Sequence, residues 1–129
     1  MPRAISTFLM FEGRAEEAMM FYIDLFKGKL TAIQRYDPAQ TGKSAIKVAT
    51  FTLCGQTFMC SDSAVKHTFT FTPSTSIFVE CDDEMELASA FHRLADGGQI
   101  LMPLDDHGFS KKFAWVQDRY GVSWQLNLK

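Results

Sequence analysis

A seventy-residue offset constrains this chain more than any other feature. Phe21, Gly28 and Leu30 recur as Phe91, Gly98 and Ile100. Each half reads in the same order: strand, helix, strand, strand, strand. In such a unit the helix covers one sheet face and leaves the other open. Two units side by side can curl their open faces into a shared cleft, which is the place to look for function. The 129 residues fit one domain over 1–129, with modules at 5–62 and 73–129. The expected class is α+β, with the two tandem β-α-β-β-β modules forming a curved mixed sheet around a central cleft.

The first half supplies the pattern in detail. Ile5 to Phe11 is an apolar run broken by Gly13. Ala15, Ala18, Met19, Tyr22, Leu25 and Phe26 recur at helical spacing, which predicts a helix over 14–27. Glu16 and Glu17 favour its first turn, and Gly28 can cap it in a left-handed conformation. Leu30 to Tyr36, Ala45 to Leu53 and Thr57 to Cys60 read as strands, separated by turns at 37–42 and 54–56. Ser61 to Thr72 has no period and reads as a loop.

The second half repeats that order. Ser76 to Cys81 is a strand, and Asp83 with Glu86 has the spacing of a capping box. A helix is predicted over 83–96, ended by Gly97 and Gly98. Gln99 to Leu104 contains Pro103 and so belongs at a sheet edge. Phe113 to Gln117 and Val122 to Leu128 complete the set. At the intervening turn, Asp118 is placed to cap backbone amides.

Composition narrows the function classes. The net charge is −2, and no run of Lys or Arg exceeds two residues, so no nucleic-acid partner is expected. No stretch approaches the roughly 20 apolar residues of a membrane span. The first residues lack the apolar core of a signal peptide, so a cytoplasmic location is expected. Cys54, Cys60 and Cys81 form no CxxC pair and read as small strand hydrophobes.

Three stretches carry a resemblance. The first runs Phe8-Leu9-Met10-Phe11-Glu12-Gly13-Arg14-Ala15-Glu16-Glu17-Ala18, followed by Phe21-Tyr22 and Phe26-Lys27-Gly28. The second runs from Ile77 to Asp82 and from Gly97 to Leu104. The third is Phe113-Ala114-Trp115-Val116-Gln117-Asp118-Arg119-Tyr120-Gly121-Val122-Ser123-Trp124-Gln125-Leu126. Together they resemble the vicinal-oxygen-chelate (glyoxalase/bleomycin-resistance/dioxygenase) superfamily. Within it the chain is similar to the PhnB-like family named after demethylubiquinone methyltransferase. The resemblance implies the paired-module glyoxalase-like fold, often as a homodimer. It implies little about activity, since relatives include lyases, dioxygenases, transferases and binding proteins.

Metal-using members of the superfamily place His or Glu on four strands facing the cleft. The resemblance puts those positions at Thr7, Met59, Ser76 and Gln125. Hydroxyl, thioether and amide groups hold divalent ions weakly, so the expectation is no metal, no cofactor and a pocket for a small-molecule ligand. His107 with Asp105 or Asp106 is the alternative metal cluster, and His107 is also a conceivable general base. His67 and His92 read as surface residues. Trp124 neighbours Gln125, so only one of Trp115 and Trp124 faces the cleft, and Trp115 is the candidate pocket wall. Arg119 could instead face an anion. Cys60 is the best-placed thiol but has no evident His partner. Methyl transfer lacks a Gly-rich donor loop, because no G-x-G occurs. Two classes therefore stand: a metal-independent binding protein, or an enzyme of lyase, dioxygenase or transferase type with an unrecognised site.

Overall fold

The computed structural model describes residues 1–41 and 45–129. It divides into two compact units, Met1–His67 and Thr68–Lys129, each an α+β module. Gly42, the last residue of the first expected turn, lies outside the described residues. Before it, Asp37 accepts the Ala39 N–H at 2.9 Å.

The first unit runs β1 (Thr7–Phe11), α1 (Ala15–Phe26), β2 (Lys29–Arg35), the short α2 (Pro38–Thr41), β3 (Ile46–Leu53) and β4 (Gln56–Asp62). Its sheet order is β1-β4-β3-β2, with β1 parallel to β4 and the other pairs antiparallel. Helix α1 packs on β3 and β4. Ala15, Ala18, Met19 and Tyr22 are buried on its inner side, against a layer that includes Ala49, Phe51, Phe58 and Cys60.

Strand β4 continues two residues past the predicted end at Cys60, because β1 keeps pairing with it through Met10–Ser61 and Phe11–Asp62. Asp62 explains why a polar residue ends this strand in the interior. One carboxylate oxygen accepts the N–H groups of Gly13 at 2.7 Å and Ala15 at 2.9 Å. The other accepts Ile46 N–H at 3.0 Å. A buried charge is tolerated where several donors satisfy it. Asp62 thereby ties the start of α1 and the start of β3 to the end of β4.

The second unit runs β5 (Ser76–Glu80), α3 (Glu84–Ala95), β6 (Gln99–Asp105), β7 (Lys112–Gln117) and β8 (Ser123–Leu128). The sheet order β5-β8-β7-β6 repeats that of the first. Pro103 lies in the edge strand β6, whose register shifts on both sides of Met102. The capping box forms: Asp83 accepts Glu86 N–H at 2.8 Å, and Glu86 reaches back to Asp82 N–H at 3.0 Å. Asp118 caps its turn as expected, accepting the N–H groups of Tyr120 at 2.9 Å and Val122 at 3.0 Å.

Gly97, with φ 75°, and Gly98 follow the end of α3 as expected, but Gly28 is not the left-handed cap expected of it. The left-handed residue after α1 is Lys27, with φ 53°. A Cβ on Gly28 would collide with the Thr52 carbonyl of β3, and one on Gly98 with the Gln117 carbonyl of β7. Each marks where the chain leaving the helix passes against the neighbouring strand.

Candidate functional site

Side chains alternate along a strand, and residues in register across a pair share a face. In the first unit the helix-covered face is fixed by Cys60, whose sulfur lies 3.9 Å from that of Met19 on α1. Leu9 pairs with Cys60, and Thr7 pairs with Phe58 on the same face. Met59 lies on the other face, beside Phe8 of β1 and Thr50 of β3. Thr7 and Met59 therefore do not line one surface, and this corrects the expected four-residue set. The residue beside Met59 is Phe8. Its place in the repeat was open to inspection, because Phe8 and Phe78 stand at the same seventy-residue offset as Phe21 and Phe91.

In the second unit α3 lies against β7 and β8. Trp124, Leu126, Ala114 and Val116 are fully buried on that side. Trp124 also donates its indole N–H to Asp118 at 2.9 Å. The opposite, open face carries three rows. Ser76, Ser123 and Gln117 form the first, and Phe78, Gln125 and Trp115 the second. Glu80, Asn127 and Phe113 form the third.

Hydrogen bonds join the polar members of these rows. Trp115 Nε1 donates to Ser123 Oγ at 2.8 Å, and Ser123 lies 2.7 Å from Ser76 Oγ. Gln125 Nε2 is 3.4 Å from Ser76 Oγ. Asn127 gives its amide N–H groups to both Glu80 oxygens, at 3.2 and 3.1 Å, and accepts from Ser110 Oγ at 2.6 Å. Phe78 is 53% exposed between the two polar rows. Ser76, Gln125 and Trp115 thus come together on one face, as sequence reasoning placed them. Ser123, Asn127 and Glu80 were missed, although each follows from Gln125 or Phe78 by a two-residue step.

His107 lies beside this face. Its ring stacks on Phe109 at 6.2 Å and meets the edge of Phe113 at 6.1 Å, and Nε2 is 2.8 Å from the Pro103 carbonyl. Asp105 accepts Asp106 N–H, and Asp106 accepts Gly108 N–H, both at 2.8 Å. These carboxylates hold the loop's own backbone. His92 is exposed on α3. His67 is half-buried, 2.9 Å from Ser63 Oγ. Arg119 lies 3.6 Å from Asp96.

Two of the three thiols, Cys60 and Cys81, are buried. Burial pushes Cys60 up to about 12, with Asp62 adding to the effect. Burial likewise pushes Cys81 up to about 11, helped by the acidic residues around it. Both are therefore poor nucleophiles. Cys54 departs from the strand-hydrophobe expectation. It is exposed in the β3–β4 turn, with φ 50°.

The superfamily's divalent ion needs anionic or imidazole donors and an open position. On the open faces, Phe8 and Met59 in one unit and Ser76, Phe78, Gln125 and Glu80 in the other supply phenyl, thioether, hydroxyl and amide groups and a single carboxylate. Among the described residues no three His, Cys, Asp or Glu side chains gather as a metal-holding group. The residues do not fit the ion.

Known proteins place the chain in a family. A family model described as 3-demethylubiquinone-9 3-methyltransferase matches residues 3–127. The PhnB protein of Bacillus cereus is 56% identical, with 98% of this chain and all of that one covered, at a TM-score of 0.94. A Pseudomonas aeruginosa protein is 28% identical over 99% of this chain and 98% of its own, with a TM-score of 0.86. The fosfomycin resistance protein FosX of Listeria monocytogenes shares the fold at 13% identity and a TM-score of 0.66, covering 98% of this chain and 93% of its own. No curated protein matches. The chain belongs to the PhnB-like 3-demethylubiquinone-9 3-methyltransferase family.

Proposed function

We propose that this protein binds a small molecule on the open face of its second sheet and does so without a metal ion. The observation that carries this reading is the row Phe78–Gln125–Trp115, flanked by hydroxyl and amide groups. Aromatic walls with a few placed polar groups are what small-ligand sites are made of. The side chains at the metal positions are hydrogen-bonding or apolar rather than ion-holding.

Elemental analysis of purified protein, with Ni²⁺ and Zn²⁺ titrations, tests the metal-free reading. We expect substoichiometric metal and no glyoxalase-type isomerisation. Near-stoichiometric metal that is lost on Gln125→Leu sinks it.

Glu80 favours a second reading, as an enzyme of lyase or transferase type. It is a carboxylate on the same face, held by Asn127, and able to move a proton. The assembly we propose is a homodimer. The strands β2 and β6 are sheet edges and expose Leu30, Ile33 and Ile100, which favours pairing with a second copy. The free thiols agree with a cytoplasmic location.

A further inference from the structure

The open face of the second sheet contains a hydrogen-bond chain whose direction is set by valence. The Trp115 indole has one polar hydrogen and no acceptor, so its contact with Ser123 Oγ is a donation. Ser123 is 2% exposed. Among the described residues its hydroxyl has one other partner, Ser76 Oγ at 2.7 Å. A buried hydroxyl proton needs an acceptor, so Ser123 donates and Ser76 accepts. The proton of Ser76 is then left without a close acceptor. The contact from Gln125, at 3.4 Å, is a donation by its amide Nε2 to Ser76 Oγ and takes no proton from the hydroxyl. Ser76 is only half-buried, so that proton is available to a ligand.

We infer that the Ser76 hydroxyl, with the Gln125 amide beside it, holds the carbonyl oxygen of a flat, unsaturated ligand that carries no negative charge. This deepens the binding reading above and rests on it. The oxygen is assigned by the donor at Ser76. The flat body is assigned by Phe78 and Trp115, which flank Gln125 in one row. An anionic ligand is disfavoured by Glu80 in the next row, whose carboxylate opposes a second negative charge.

Two probes of closely matched shape separate the claims: 2-acetylnaphthalene, which has the carbonyl, and 2-isopropenylnaphthalene, in which a C=CH2 group replaces it. Each is titrated into the full chain while the Trp115 indole and Gln125 amide NMR signals are followed. Both probes are expected to shift the Trp115 signal, the ketone binding more tightly. Ser76→Ala should weaken the ketone about three- to tenfold, the worth of one hydrogen bond, and leave the hydrocarbon unchanged. Gln125→Met, which keeps the side-chain volume, should weaken the ketone alone in a second, independent variant. If both probes bind but neither variant discriminates between them, the inference is overturned and the binding reading stands. If neither probe moves the Trp115 or Gln125 signals, the open-face reading fails and the inference fails with it.

Discussion

The carboxylate of Asp62 accepts the backbone N–H of Ala15 at 2.9 Å, across forty-seven residues of chain. With Gly13 and Ile46 it makes three such bonds from a side chain only 4% exposed. Asp62→Ala leaves three amides without their acceptor, two of them in bonds that are themselves buried. We expect a loss of about 3–5 kcal/mol in urea unfolding, in the range for breaking a buried polar network. Asp62→Asn, which keeps one acceptor oxygen, should lose less. Equal stability of wild type and Asp62→Ala would refute the role.

Gly28 and Gly98 are predicted to be intolerant of any side chain. Gly28→Ala and Gly98→Ala should each cost about 2 kcal/mol or more, since the added carbon meets a backbone carbonyl that cannot swing away. Gly13→Ala is the control. It has φ 108° but open space around its Cβ position, so only backbone strain of about 1–2 kcal/mol is expected. Thermal melts of the three variants decide, and a Gly13 cost above both others would contradict the assignment.

Thiol chemistry should divide the cysteines. In the native protein Cys54 is exposed, whereas Cys60 and Cys81 are buried and pushed up to about 12 and about 11. Iodoacetamide at pH 8 is expected to modify Cys54 quickly, and the other two only after denaturation. Peptide mapping reads the result. Rapid native labelling of Cys60 would show that α1 opens readily.

The Arg35–Glu16 pair predicts a small pH effect of defined sign. The Arg35 guanidinium bonds both Glu16 oxygens, at 2.8 and 2.7 Å, and its hydrogen bond holds that carboxyl below its ordinary 4.5. A depressed folded value means the contribution is present above 4.5 and is lost as pH falls through the lower folded value. Glu16→Gln should therefore be slightly less stable than wild type at neutral pH, and the two should converge at the acid end. The pair is exposed, so added salt should shrink the gap. A gap that widened on acidification would reverse the assignment.

Periodicity and turn chemistry are local, and they carried the two-module order, the edge position of Pro103, the capping box and the Asp118 turn in the sequence itself. The seventy-residue repeat marked Gly28 and Gly98 as equivalent, but their shared role depends on carbonyls of strands distant in the chain. Composition spoke against a metal at the superfamily's positions, because Met59 and Gln125 are poor ligands wherever they point.

Tertiary structure decided which residues share a surface. A slip of one residue in a strand turns its side chain to the opposite face, so the pairing of Thr7 with Phe58, invisible along the chain, put Thr7 on the helix-side face of the sheet and brought Phe8 beside Met59. Asp62 looked like the start of a polar loop. Only the parallel pairing of β1 with β4 shows it as a buried acceptor joining three segments. The direction of the Trp115–Ser123–Ser76 chain likewise required strands β5, β7 and β8 to be set side by side, because a hydrogen bond's donor is known only once every partner is in place.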